Sequence, residues 1–455
     1  MATAEVTLPR VGVGSVVGGR RAAGWALGLG LLVVAVAAAA AFSTRLAVLG
    51  AGLAIFLVSL REPRAGLALV ALAIVLSPEI PVGGVSGTRL EDGLIALVGG
   101  AWLIRRVVGL ENTRREMVLA APLAAYVGVG LVGTLWGELM GTARLLSVDV
   151  LYGALPHLLK RVELALLAVV TARALRGERD VRRLAYLLMA ALVAFCVYTW
   201  SHFGETGFSA EAPPGAAGHE AGLGGVLLLA LTLGLLAHSR GWSTAAGMAP
   251  LGVALVTIPL SLGRNFTLTA GILLLAFAAF RKRWFFLVIL VAVWAGLQWL
   301  PAHVIDRIGT LRWMFAEDPT GAATQGASVL SRVTPPLYFA QVALFNSPVF
   351  GFGLASLPLG FIDSEYATQL YFTGLLGVGV FAWMVARVLR VWRGIGGQTA
   401  GWGRVFRSCF GYVLLAYAVY SLFSPSVSAA RAGALFFLLA GMAAASAHRG
   451  GNEQA

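Results

Sequence analysis

The stretch "DSEYATQLYFTGLLGVGVF", residues 363 to 381, opens with two carboxylates and then runs uncharged into an apolar segment. Continued to residue 387, that segment is long enough to cross a bilayer as a helix, because about 20 apolar residues span the hydrocarbon core. Asp363 and Glu365 then stand at the mouth of a span. The acid in the first turn can answer a helix dipole, or both can face a ligand arriving at the membrane surface.

The rest of the chain repeats the pattern. Of its 455 residues 58% are hydrophobic and 12% charged, and the mean hydropathy is +0.83. Such a balance excludes an ordinary soluble domain and predicts an all-α, polytopic integral membrane protein. Only helices with self-satisfied backbones cross lipid singly. Apolar runs place them near 22–42, 46–60, 65–81, 93–108, 117–136, 157–175, 183–203, 220–238, 245–261, 265–280, 284–301, 366–387, 405–423 and 431–447, about 12 to 14 spans. One membrane domain covers 22–447, with tails at 1–21 and 448–455. The first span reads as uncleaved, since the chain re-enters the membrane almost at once. Cys196 and Cys409 lack metal-ligand spacing and read as packing residues.

Charge sets the orientation. With the N-terminus and both tails cytoplasmic, "REPR" (61–64), "RRVVGLENTRRE" (105–116), "RALRGERDVRR" (173–183) and "RKR" (281–283) fall inside with the 387–407 loop. About 24 basic residues then lie on that side, as the positive-inside rule requires. The net charge of +13 is therefore topology, and no nucleic-acid partner is implied.

The basic residues left on the other side carry more information, because several sit within or beside apolar runs, where a charge is expensive. Arg264 interrupts "IPLSLGRNFTLTAGILLL" beside Ser261, Gly263 and Asn265; it either snorkels to the interface or turns inward to bind an anion. In "LPHLLKRVELALL", Lys160 and Glu163 are neighbours at i,i+3 and can neutralise one another, which leaves Arg161 for a ligand. Arg89 precedes Glu91 and Asp92 in "GTRLEDG", where the two acids suit a helix start and Arg89 can pair with them or with a ligand. His219 and Glu220 close a Pro/Gly-rich outer loop, 202–225.

The longest polar segment, 302–365, is read as an outer loop with short helices. It holds an amphipathic "HVIDRIGTLRWMF", then "SRVTPPLYFAQVALFNSPVFGFG", in which Ser331 and Arg332 precede a helix of about 10 residues with its prolines first, ended by a turn at Asn346-Ser-Pro. A nucleotide-binding glycine loop, Asp-x-Asp and His/Cys metal cluster are missing from the sequence. Arginines at membrane depth, a partly apolar lid and a few acids suit an anionic, lipid-embedded substrate; a lipid-linked pyrophosphate fits, since guanidinium forks match phosphate oxygens.

From about residue 60 onward the chain resembles the O-antigen ligase and polymerase superfamily, on the pieces "SPEIPVGGVSGTRLEDGLI" (77–95), "LPHLLKRVELALL" (155–167), "LSLGRNFTLTAGILLL" (260–275), "SRVTPPLYFAQVALFNSPVFGFG" (331–353) and "DSEYATQLYFTGLLGVGVF" (363–381). The resemblance implies a GT-C-like multi-span fold with a large periplasmic loop, in a bacterial inner membrane with the site facing the periplasm or cell exterior. It implies metal-independent, cofactor-free glycan transfer from undecaprenyl diphosphate to a sugar hydroxyl. Arg264, Arg332, Lys160 and Arg161 would hold the lipid diphosphate, with Arg89 beside them. Where ligases of the superfamily resemble "HNxYL", this chain has Asp363-Ser364-Glu365-Tyr366, which points toward a polymerase of oligosaccharide repeats, with a chain-length regulator as a partner. Candidates for the general base are Asp363, Glu365 and His219. The alternatives are an O-antigen ligase or a protein O-oligosaccharyltransferase of the same superfamily and, from another class, a secondary anion transporter.

Overall fold

The computed structural model describes residues 44–77, 89–110, 117–146, 153–202, 219–238, 242–261, 263–280, 327–357, 362–395 and 401–447. The expected spans at 22–42 and 284–301, both tails and the amphipathic segment after residue 302 lie outside them. The described residues form thirteen helices and no strand. These are α1 (Thr44–Arg61), α2 (Pro63–Leu76), α3 (Leu90–Val107), α4 (Ala120–Leu139), α5 (Ala154–Ala174), α6 (Glu178–His202), α7 (His219–Leu236), α8 (Trp242–Leu260), α9 (Arg264–Phe280), α10 (Ala327–Asn346), α11 (Glu365–Gly394), α12 (Trp402–Tyr420) and α13 (Ala430–Ala447).

Among the described residues, α4, α6, α11 and α13 are long and apolar enough to cross a membrane, and five shorter apolar helices accompany them. This composition and length support a membrane-embedded protein. Twelve of the fourteen expected spans coincide with helices, their ends shifted by a few residues.

Contacts between helix termini define two ends of the bundle. At one, Arg64 Nη1 contacts both oxygens of Asp180 at 3.1 Å, Glu178 Oε1 accepts the Gly403 N–H at 2.8 Å, and Arg105 bonds the carbonyls of Leu60 and Arg61. This end gathers the described basic stretches 61–64, 105–106 and 173–183 and is called the arginine-rich end. The starts of α3, α5, α7, α9, α11 and α13 lie at the opposite end.

Two helices fill the centre. From Ala221 to Gly234 every residue of α7 is buried, as its apolarity on all sides demands, and it packs against α8, α12 and α6. α13 is buried almost throughout and lies along α5. Small residues permit these approaches, as is usual between helices in lipid. A Cβ on Gly441 would stand 2.7 Å from the Ala168 carbonyl oxygen, and one on Gly234 would stand 2.2 Å from Cys409 Cα. The latter neighbour is backbone and cannot yield, so Gly234→Val should cost at least the 1–3 kcal/mol of an overpacked core. Thermal unfolding of the detergent-solubilised protein checks this against Gly271→Ala, whose added methyl meets nothing within 4 Å and should be silent.

Two elements depart from expectation. The prolines read as a helix start lie inside α10, which begins at Ala327; Pro335 and Pro336 sit within a longer, continuous helix and withhold two N–H donors from its ladder.

The second departure is α11, expected as one continuous span. It breaks at Gly374, whose φ of 65° and ψ of −165° are non-helical, and the segment that follows α10 enters the break. In an unbroken helix the N–H groups of Leu375 and Leu376 would bond the carbonyls of Tyr371 and Phe372. Here those carbonyls accept from Phe352 (2.9 Å) and Gly353 (3.0 Å), while Leu375 and Leu376 donate to Pro348 (2.8 Å) and Val349 (3.2 Å). Two helical bonds are thus exchanged for four to a strap, residues 347–353. The glycine face of α4 backs it: a Cβ on Gly137 would stand 2.2 Å from the Phe352 oxygen. Trp136 Nε1 holds Ser347 Oγ at 3.0 Å, and Thr142 Oγ1 holds the Phe352 carbonyl at 2.8 Å. Irregular backbone so enclosed has its polar groups satisfied, the condition for tolerating it at membrane depth.

Candidate functional site

The strap and the helix starts surround a polar cluster at the end opposite the arginine-rich one. Its centre is Glu365, the first residue of α11, which is fully buried. One carboxylate oxygen accepts the N–H groups of Val427 (2.9 Å) and Ser428 (3.0 Å). The other accepts Ser428 Oγ and Gln369 Nε2, each at 2.7 Å. Four donors match the roughly four acceptor sites of a carboxylate, so Glu365 is saturated by the chain itself. It ties the start of α11 to the turn between α12 and α13, as does its own N–H, bonded to the Ser421 carbonyl at 2.9 Å.

One turn further along α11, Gln369 carries the cluster to the next helix. Its Oε1 accepts Arg161 Nη2 at 3.3 Å. The Arg161 guanidinium, 6% exposed and about 10 Å into α5 by the helical rise, also donates to the Tyr126 carbonyl at 3.2 Å and lies 4.4 Å from the centre of the Tyr126 ring. Gly130, one turn beyond Tyr126 on α4, leaves the space: a Cβ there would stand 2.9 Å from Arg161 Nη1. The Tyr126 hydroxyl is buried facing the same cluster and makes no hydrogen bond of normal geometry among the described residues. A side chain at this depth that is charged, buried and inward-facing marks a functional position by default.

A second group flanks the first. Lys160 bonds Asp92 and, at 2.9 Å, Glu163. Arg89 is buried, with Nη1 3.8 Å from Glu91 Oε1, and its N–H donates to Asp92 Oδ2 at 3.1 Å, which caps α3. Glu91 bonds the Ser77 hydroxyl, and Arg431 Nη2 donates to the Ser77 carbonyl at 2.7 Å. Lys160 and Arg89 are balanced by carboxylates within contact distance.

The expected site residues therefore sort unequally. Arg161 and Glu365 are joined through Gln369, and Asp363 is half-buried just ahead of α11. Lys160 and Arg89 stand beside them in ion pairs. Arg264 and His219 open α9 and α7 at the end opposite the arginine-rich one, and Arg332 lies on α10; the side chains of all three fall outside the described residues. Phe266, two residues after Arg264, stacks on Tyr420 at 5.3 Å, which brings the start of α9 against the end of α12, next to Ser421.

Sequence reasoning missed Gln369, Tyr126, Ser428 and Gly130. Gln369 carried a signal, because it lies four residues after Glu365 on one helix face. Among the described residues no group of three His, Cys, Asp or Glu side chains is arranged to hold a metal ion. The chain matches no protein-family model and no curated protein.

A modest substitution probes the packing around Arg161. Gly130→Ala presses on the tip of a flexible side chain rather than on backbone, so folding should survive while the guanidinium shifts. The expected outcome is an unchanged thermal midpoint together with a smaller rise in that midpoint on adding inorganic pyrophosphate than in the wild type.

Proposed function

We propose that this protein is a membrane glycosyltransferase that polymerises lipid-linked oligosaccharide repeats, taking undecaprenyl-diphosphate glycan as donor and a sugar hydroxyl as acceptor. In this reading it spans a bacterial inner membrane 12 to 14 times in a GT-C-like fold, with the arginine-rich end cytoplasmic and the 302–365 loop outside. The observation that carries it is Arg161: a guanidinium at membrane depth held by a carbonyl, an amide oxygen and an aromatic face, all neutral, and so left with its charge for an anion.

A diphosphate leaving group gains most from such a preorganised cation in a water-poor setting, because charge develops on it as the glycosidic bond breaks. Arg161 would hold the diphosphate, joined by Arg264 and Arg332. Lys160 and Arg89, already paired with acids, would set the local field and the helix positions. Proton removal from the acceptor hydroxyl falls to Asp363 or His219, since Glu365 has its acceptor sites filled. An O-antigen ligase or protein O-oligosaccharyltransferase would use the same donor chemistry with another acceptor.

A specific observation also favours an anion carrier: a helix broken at depth, as α11 is at Gly374, is a device of secondary transporters. Purified protein in proteoliposomes separates the two. Longer glycan and released lipid diphosphate support transfer; uptake of an anion without either supports the carrier.

A further inference from the structure

Arg161 and its chain neighbour Lys160 are treated in opposite ways. Lys160 is clasped directly by two carboxylates, Asp92 and Glu163. Arg161 also has a buried carboxylate in its network, Glu365, but Gln369 stands between them. A direct Arg–carboxylate contact would be bidentate and would fill the guanidinium fork. Through an amide, the carboxylate orients the guanidinium without neutralising it.

We infer that Gln369 is a positioning residue for Arg161, an amide spacer that aims the guanidinium while leaving its charge available to a phosphate-bearing ligand. Chemistry fixes the direction of the relay. Glu365 can only accept, so the Gln369 nitrogen faces it and the Gln369 oxygen must face Arg161; Ser428 Oγ accepts a second amide hydrogen at 3.1 Å and donates its own to Glu365. Thr373 Oγ1, one turn on, approaches Gln369 Oε1 at 3.5 Å. The amide is thereby held on both sides. The two hydrogen bonds of Arg161 among the described residues use two of its five N–H groups, so a diphosphate oxygen has donors left to meet.

The inference rests on the diphosphate reading, and two readouts on the full-length protein keep their failures apart. One is the donor KM and kcat in proteoliposomes; the other is the rise in melting temperature on adding inorganic pyrophosphate, which needs no turnover. Gln369→Met should raise the donor KM by about tenfold or more, the size of one lost hydrogen bond to a charged group, and should diminish the pyrophosphate shift. Gln369→Glu, which sets a carboxylate on Arg161, should be worse than Met on both readouts. A merely structural glutamine would instead make both variants follow their melting temperatures. If either variant fails to fold, the exchange Glu365→Gln with Gln369→Glu keeps the polar groups of the network but neutralises Arg161, and it should melt near wild type with the pyrophosphate shift abolished. Variants with a wild-type donor KM and a wild-type pyrophosphate shift overturn the inference alone. A wild type that makes no glycan yet loses its pyrophosphate shift in Gln369→Glu overturns the transfer reading alone, and a wild type with neither response overturns both.

Discussion

Arg161→Met is expected to abolish glycan product, by at least about a hundredfold, the scale on which removing one preorganised charge-stabilising donor acts. Methionine fills a comparable volume, but it takes away the charge and both hydrogen bonds, to the Tyr126 carbonyl and to Gln369. Glu365 then remains buried with no cation behind Gln369. Breaking a buried charge pair by deleting one member costs about 3–5 kcal/mol; because the two charges here are separated by an amide, the lower part of that range is expected. Arg161→Lys keeps the charge and loses the planar fork. It should recover most of the melting temperature and little of the activity, and that split, read in parallel by thermal unfolding and by glycan length on gels, marks a residue that acts on the substrate as well as on the fold.

Gly374→Ala should be severely damaging for a single added methyl group. At φ 65° and ψ −165° the backbone lies in a region essentially reserved for glycine, worth about 1–3 kcal/mol against any other residue. The new Cβ would also stand 2.3 Å from the Val349 carbonyl oxygen and 2.6 Å from the Phe350 nitrogen, so the strap would have to leave the break. Four hydrogen bonds hold it there, and their loss would expose the interrupted ladder of α11. The expected result is loss of the monodisperse folded species on size-exclusion chromatography. Gly379→Ala, five residues on in the same helix with nothing within 4 Å of the added methyl, should behave as wild type.

Helices were legible wherever apolar length alone decides them. α7 is apolar on every side and sits in the centre of the bundle; α13 follows the same rule. Boundaries drifted where propensity and packing compete, as at α10, where Pro335 and Pro336 read as a start although tertiary contacts carry the helix through them. The break in α11 was hidden for a definite reason. "YFTGLLG" contains a glycine that a membrane helix tolerates without bending, and only the partner strand of backbone from 347–353, more than 20 residues away in sequence, turns tolerance into interruption. Periodicity within a segment holds no record of a distant strap.

The site was legible in its cations and not in their pairing. Depth singled out Arg161, and the i,i+3 spacing of Lys160 and Glu163 foretold their contact. Asp92 completes that pair from α3, a partner no local spacing announces. The two acids that open "DSEYATQLYFTGLLGVGVF" proved unlike: Asp363 stays half-buried at the mouth of α11, whereas Glu365 is enclosed by backbone N–H groups of the α12–α13 turn, a role set by residues more than 60 positions downstream.

The most direct test of the account is a single turnover mixture: purified wild-type protein in proteoliposomes with a synthetic undecaprenyl-diphosphate oligosaccharide, assayed for glycan length and for free lipid diphosphate. The account predicts longer lipid-linked glycan and one equivalent of released undecaprenyl diphosphate per bond formed, both lost in Arg161→Met. Donor that returns unchanged from the wild type, with no free lipid diphosphate, would contradict it.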